Sequence, residues 1–262
     1  MATHSIERMA VEVEGDGPAV VLVHGLGGSS NSFTPQMSVL AGRYRSIRPD
    51  LPGSARSAVP ETLTMPGLVE ALQKLTAALG IERAHFVGHS LGTILCQHLA
   101  VAAPKLVASL ALFGPLSAPP PAAREGLLAR AETAKSGGLA AMADIADAIC
   151  KAATASATKS EQPAVIAAVR ESIMRQSGAG YGATCAALAA AEAAEAAKIT
   201  CPTLLVTGED DVVAPPSVTR ELAEKIPGAT AHILPRCGHW TTLEAAPAVN
   251  RHLKEFLSLA AR

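Results

Sequence analysis

Ser90 stands at the centre of Gly88-His89-Ser90-Leu91-Gly92, a Gly-x-Ser-x-Gly pentapeptide. The apolar run Ala84-His85-Phe86-Val87 leads into it, and residues 93–100 read as a helix behind it. A serine at such a strand-to-helix corner sits in a strained backbone conformation with its hydroxyl pushed out above the sheet. Glycines two before and two after it leave room for the neighbouring strand and helix. The helix adds free N–H groups and a partial positive charge at its start. The chemistry such a corner suits is nucleophilic attack by Ser90.

A serine hydroxyl attacks only when a base takes its proton, and the base needs an acid to orient it. Gly208-Glu209-Asp210-Asp211 follows the apolar run Leu204-Leu205-Val206, and Gly238-His239-Trp240 comes soon after Ile233-Leu234. Both loops therefore lie at the carboxyl ends of expected strands. Parallel strands end on one side of a sheet, so Ser90, His239 and an acid can converge there. Asp211 is taken as that acid, with Asp210 its rival. His24-Gly25-Leu26-Gly27-Gly28 ends the first buried run, and its glycines allow a close backbone approach. The amides of Leu26 and Leu91 are the expected donors to a developing oxyanion. His24, His89, Met142, Tyr181 and Trp240 are candidates to line a substrate pocket. Alternative readings stay open: His24 shaping the backbone through its ring, and Trp240, the one tryptophan, serving as core. No spacing of His, Cys, Asp or Glu points to a metal, and no motif calls for a cofactor.

These loops need elements to hold them. Ala19-Val20-Val21-Leu22-Val23 reads as a strand buried on both faces. Residues 32–40 are expected to form a short helix, and 44–48 a strand stopped by Pro49. Thr64 is placed to cap a helix running to about Leu79, closed by Gly80. The strand at 84, the helix after Ser90 and a strand over 107–113 continue the rhythm. Repeated β-α units of this kind predict a parallel sheet covered on both faces.

The rhythm breaks at Gly114-Pro115 and the rigid Pro119-Pro120-Pro121. An alanine-rich stretch follows, with expected helices over 122–135, 139–151, 163–176 and 183–197. Its apolar residues, among them Met142, Ile145, Val169 and Ile173, supply faces to bury. Strands over 201–206 and 230–234 then resume, with helices over 216–225 and 246–259. The expected organisation is an α/β core of residues 1–115 and 198–262, with residues 116–197 inserted as a helical lid before the last two strands.

The 262 residues allow one large α/β domain, and with 49% hydrophobic but 3% aromatic residues the core must be aliphatic. A formal net charge of −1 gives no reason to propose nucleic acid or an anionic membrane as a partner. No apolar run approaches the roughly 18–20 residues that span a bilayer, and the first residues have no signal-like apolar region. Five scattered cysteines without a Cys-x-x-Cys pair suit reduced thiols. The expected setting is cytoplasmic, as a monomer or small homo-oligomer acting on a small molecule.

Along nearly its full length the chain resembles the α/β-hydrolase superfamily. The residues that carry the resemblance are His24-Gly25, Gly88-x-Ser90-x-Gly92, Gly208-x-x-Asp211, Gly238-His239 and Glu244-x-x-Pro247, in the family's order of nucleophile, acid and base. In that family the acid is the fourth residue of the Gly-x-x-Asp loop, which the resemblance transfers to Asp211. Residues 180–188 and Ile199-x-Cys201-Pro202-Thr203-Leu204 are similar to segments of the 3-oxoadipate enol-lactonase group. The resemblance implies a cofactor-free serine hydrolase of carboxylic esters or lactones. Carbon–carbon hydrolysis, perhydrolysis and, in another class, a non-catalytic ligand receptor are the alternatives.

Overall fold

The structure is a computed structural model that describes residues 2–260. An eight-stranded sheet runs through it in the order β1-β2-β4-β3-β5-β6-β7-β8. The strands are β1 (Ala2–Ile6), β2 (Met9–Glu14), β3 (Ala19–Val23), β4 (Arg45–Pro49), β5 (Ala84–His89), β6 (Val107–Phe113), β7 (Thr203–Gly208) and β8 (Thr230–Leu234). The first two form an antiparallel hairpin, with β2 antiparallel to β4. From β4 through β8 every pairing is parallel. The expected parallel sheet is present, and the hairpin is an addition. Its sequence gave no apolar run to read, because β1 is an exposed edge and β2 interleaves its buried residues with partly exposed ones and carries Glu12 and Glu14.

β3 shows why the centre of the sheet is so apolar. Its alternate residues serve two cores, as the two-residue period of a strand requires. Val21 and Val23 pack with α2 (Met65–Ala78) and α3 (Leu91–Ala102), whereas Val20 and Leu22 pack with Phe33, Leu40 and α11 (Ala246–Ala260). α2 begins at Thr64 as expected, whose hydroxyl accepts the Gly67 amide at 3.1 Å. The segment read as one helix over 32–40 is a 3-10 helix, Ser30–Gln36, followed by one α-turn, α1 (Met37–Leu40). Ser29 closes a capping box over Ser32, and Pro35 lies inside the 3-10 turn. On the far flank α9 (Pro216–Lys225) covers β7 and β8, and α10 (Thr241–Glu244) leads into α11.

Between β6 and β7 the chain inserts α4 (Pro121–Ser136), α5 (Gly138–Ala153), α6 (Ser156–Glu161), α7 (Pro163–Met174) and α8 (Gly178–Ala189). Two expectations need correcting here. The Ser/Thr-rich turn after α5 is partly helical, as α6. The last inserted helix is not 183–197 but begins five residues earlier and stops at Ala189. Gly178, Gly180 and Gly182 are packing residues. A Cβ on Gly180 would lie 2.1 Å from the Gly53 carbonyl oxygen, and one on Gly178 2.1 Å from that of Ala134. Ser177 caps the helix by accepting the Gly180 amide at 3.0 Å. Beyond Ala189 the alanines have helix propensity but only Ala191 and Ala196 are buried, too few to form a helical apolar face, and the chain returns to the core as irregular backbone and one short 3-10 turn.

Cys96, Cys150, Cys185 and Cys237 are buried free thiols, and Cys201 is half-buried. No helix among the described residues is long and apolar enough to cross a membrane.

Candidate active site

Ser90 occupies the corner between β5 and α3 with φ +54° and ψ −121°, a conformation rare for a residue with a side chain. Its amide donates to the Phe113 carbonyl at 3.0 Å, extending the β5–β6 pairing into the corner. The tightness of the turn rests on its glycines. A Cβ on Gly92 would stand 2.1 Å from the Val23 carbonyl oxygen, and one on Gly88 2.8 Å from that of Gly92.

His239 and Asp211 meet this serine. The His239 Nδ1–H donates to Asp211 Oδ2 at 2.9 Å, which leaves Nε2 to accept the Ser90 hydroxyl at 2.8 Å. Asp211 follows β7 and is buried, while Asp210 is exposed. Asp211 Oδ1 also accepts the amides of Val213 at 2.9 Å and Ala214 at 2.7 Å. Burial opposes ionisation of Asp211, but the His239 ring and these amides outweigh it and hold the carboxyl below its ordinary range. A buried carboxylate that stays charged fixes the imidazole tautomer and favours imidazolium.

His239 is held through both of its backbone polar groups. The His239 amide donates to the Ala153 carbonyl at 2.9 Å, and its own carbonyl accepts the His89 Nε2–H at 2.8 Å. Buried Glu244 collects the rest. Its Oε2 accepts from the Ala155 amide at 2.8 Å, the Thr158 hydroxyl at 2.7 Å and the Gly238 amide at 3.1 Å, and its Oε1 from the Trp240 amide at 2.9 Å. Gly114, with φ +56°, lies flat against the imidazole, since a Cβ there would be 3.1 Å from both Cε1 and Nδ1. Sequence reading took Gly114 only as the point where the β/α rhythm breaks and Glu244 only as part of a motif. The rhythm break at Gly114 and the spacing after His239 were the signals.

On the opposite side the His24–Gly28 loop passes Ser90 so closely that a Cβ on Gly25 would be 2.8 Å from the Ser90 Cβ. The His24 ring spans the loop's base, Nδ1–H donating to the Gly25 carbonyl at 2.8 Å and Nε2 accepting the Leu51 amide at 2.9 Å. Burial lowers its pKa and keeps it neutral, as this pattern requires. Leu26 is half-buried in the loop, and Leu91 is the first residue of α3, whose leading amides lack intrahelical acceptors.

The other pocket candidates divide. His89 and Trp240 are buried with ring centroids 5.4 Å apart, and His89 lies 5.2 Å from His239. Burial, with the nearby His239, pushes the His89 pKa down to about 3. Tyr181, in α8, is buried with Cε2 3.3 Å from where a Gly27 Cβ would stand, so its ring lies against the loop. Met142 is buried in the hydrophobic core cluster that includes the inserted helices. Of the cations on the inserted segment, Arg124 is spent on the carbonyls of Pro119, Ala189 and Ala191, while Lys135 pairs with Glu132 and Arg175 with Glu171.

Known proteins share this architecture. Over 98% of both chains, the sequence is 33% identical to RutD of Caulobacter sp. (strain K31), a proposed carbamate hydrolase. It is 29% identical to the 2-hydroxy-6-oxo-6-phenylhexa-2,4-dienoate hydrolase of Burkholderia cepacia, over 96% of this chain and 91% of that one. Among solved structures, the enol-lactonase of Burkholderia xenovorans LB400 superposes with a TM-score of 0.90 at 27% identity, covering 98% of this chain and all of that one. Residues 18–246 match the alpha/beta hydrolase fold family, from just before β3 to the start of α11. The chain belongs to the α/β-hydrolase family of hydrolases.

Proposed function

We propose that the chain hydrolyses carboxylic esters or lactones through an acyl-enzyme on Ser90, with Asp211 and His239 completing a triad. The observation that carries this reading is the unbroken line Asp211 Oδ2–His239 Nδ1 at 2.9 Å and His239 Nε2–Ser90 Oγ at 2.8 Å. His239 takes the Ser90 proton as Oγ attacks the substrate carbonyl, and the amides of Leu26 and Leu91 receive the oxyanion. The imidazolium then protonates the leaving alkoxide, which departs as alcohol, or stays tethered when the substrate is a lactone. Water, deprotonated by His239, attacks the acyl group, and collapse of the second tetrahedral intermediate returns the proton to Ser90. None of these steps calls for a cofactor.

Likeness to an enol-lactonase supports lactones and esters as the substrate class. A second reading, hydrolysis of a carbon–carbon bond by the same residues, draws on the Burkholderia cepacia relative. The inserted segment 116–197 is read as a lid that contacts the part of the substrate remote from the carbonyl. A fluorophosphonate probe should label the protein once, at Ser90, and Ser90→Ala should abolish both labelling and turnover of p-nitrophenyl acetate. A panel of short p-nitrophenyl esters, aliphatic lactones and an enol-lactone would rank the substrates. Labelling that persists in Ser90→Ala would sink the assignment.

A further inference from the structure

The loop that carries the Leu26 amide is held from outside the core. Buried Gln176, just past the end of α7, places Nε2 3.3 Å from the Gly27 carbonyl oxygen, 3.1 Å from that of Gly28 and 2.8 Å from that of Ser172. The amide group cannot be turned over without facing its oxygen toward three carbonyls. Its Oε1 fixes the same orientation by accepting the Ala55 amide at 2.8 Å. The Ser172 hydroxyl donates to the Gly27 carbonyl at 2.8 Å. Ile173 packs beside them, with Cγ1 3.0 Å from where a Gly27 Cβ would stand.

These contacts reach Leu26 through one peptide plane. The Gly28 amide donates to the Gly25 carbonyl at 3.0 Å, and the His24 Nδ1–H donates to the same oxygen at 2.8 Å. In a planar trans peptide the C=O and the following N–H point in opposite directions. Anchoring the Gly25 oxygen therefore aims the Leu26 N–H, and Gln176 anchors Gly28, the residue that does so.

We infer that Gln176, assisted by Ser172, is a positioning residue from the inserted helices that preorganises the Leu26 amide as an oxyanion donor. This rests on the proposed acyl-enzyme chemistry at Ser90. An oxyanion donor acts only where charge develops, so its misplacement should cost transition-state binding and leave ground-state binding alone.

The experiment compares wild type, Gln176→Met, Ser172→Ala and Ser90→Ala on p-nitrophenyl acetate. It also measures inhibition by a trifluoromethyl ketone, which adds to the serine as a tetrahedral oxyanion. Full loss of an oxyanion donor costs about 10²–10³-fold in kcat, so displacing one should cost about 10–100-fold in Gln176→Met and a few-fold in Ser172→Ala. The loss should fall in kcat with KM within about twofold. Affinity for the ketone should weaken by the same factor as kcat/KM across the series. The apparent pKa of kcat/KM should not move, because His239 is held elsewhere. Should Gln176→Met fail to fold, Ser172→Ala, missing one hydrogen bond, reads the same correlation. A variant whose kcat drops while ketone affinity stays at the wild-type value would overturn the inference, as would a loss confined to KM. Wild-type kcat in folded Gln176→Met beside an inactive Ser90→Ala would overturn it too, whereas an active Ser90→Ala would overturn the acyl-enzyme reading instead.

Discussion

At the scale of single residues the acid and the buried histidines give the sharpest tests. Asp211 is itself buried and points both oxygens at His239, while Asp210 beside it is exposed. Asp211→Asn should lower kcat by about 10⁴-fold, as for an analogous triad aspartate, and Asp210→Asn should cost far less. Steady-state kinetics of the two variants checks the ranking. The ordinary value for His89 is 6.5, and burial takes it to about 3 in the folded protein. Unfolded chains therefore bind a proton at His89 below pH 6.5 that folded ones refuse. The stability that neutral His89 contributes is whole above pH 6.5 and is lost as pH falls toward 3, at up to ~1.4 kcal/mol per pH unit. His24 is shifted in the same direction. Melting temperatures measured from pH 7 to pH 4 should fall for wild type, and His89→Gln should fall less steeply.

At the scale of elements, the α5–α6 corner and the histidine loop are joined through one carboxylate. Glu244 accepts from the amides of Ala155, Gly238 and Trp240 and from the Thr158 hydroxyl, so α6 and the His239 turn share a single anchor. Removing it leaves four donors without an acceptor. Buried donors left unpaired cost about 1–3 kcal/mol each, part of which entering water recovers. Glu244→Ala is expected to lose about 3 kcal/mol of stability, more than Thr158→Ala at about 1 kcal/mol. Urea unfolding with unchanged slope would read this directly, and equal losses for the two variants would contradict it. This junction was not visible in the sequence. The helix caps and strand ends were, because Thr64, Gly80 and the apolar runs act locally. The bond from His239 to Ala153 spans 86 positions and leaves no local pattern.

Across the whole molecule, legibility followed burial. Strands buried on both faces, such as β3 and β6, announced themselves as apolar runs, and the loops at their carboxyl ends came with them. Of the proposed triad, Ser90 and Asp211 each follow such a strand, β5 and β7, whereas His239 follows β8, a mostly exposed edge strand, and all three loops lie on one side of one sheet. The hairpin strands β1 and β2 carried no such run, and the alanine-rich insertion gave helix propensity without boundaries. Gln176 and Ser172 were missed for a related reason, since α7 reads as an amphipathic helix whatever its far end touches. The insertion also sets a test of the lid reading. Tyr181 is buried against Gly27 and carries no part of the Ser90–His239–Asp211 line. Tyr181→Ala should shift the ratio of kcat/KM between short and bulky p-nitrophenyl esters while Ser90 remains labelled by a fluorophosphonate. A proportional loss of every activity and of labelling in a folded variant would contradict the lid reading.

The buried thiols make the chain its own clock of opening. Alkylating reagents attack thiolates, and burial raises the pKa of Cys96, Cys150 and Cys237 and pushes that of Cys185 up to about 12. These four sit in different places: Cys96 in α3, Cys150 in α5, Cys185 in α8 and Cys237 two residues before His239. Half-buried Cys201 should react with iodoacetamide first. The order in which the others follow would then report which part of the fold comes apart ahead of the rest, with no label introduced and no residue changed.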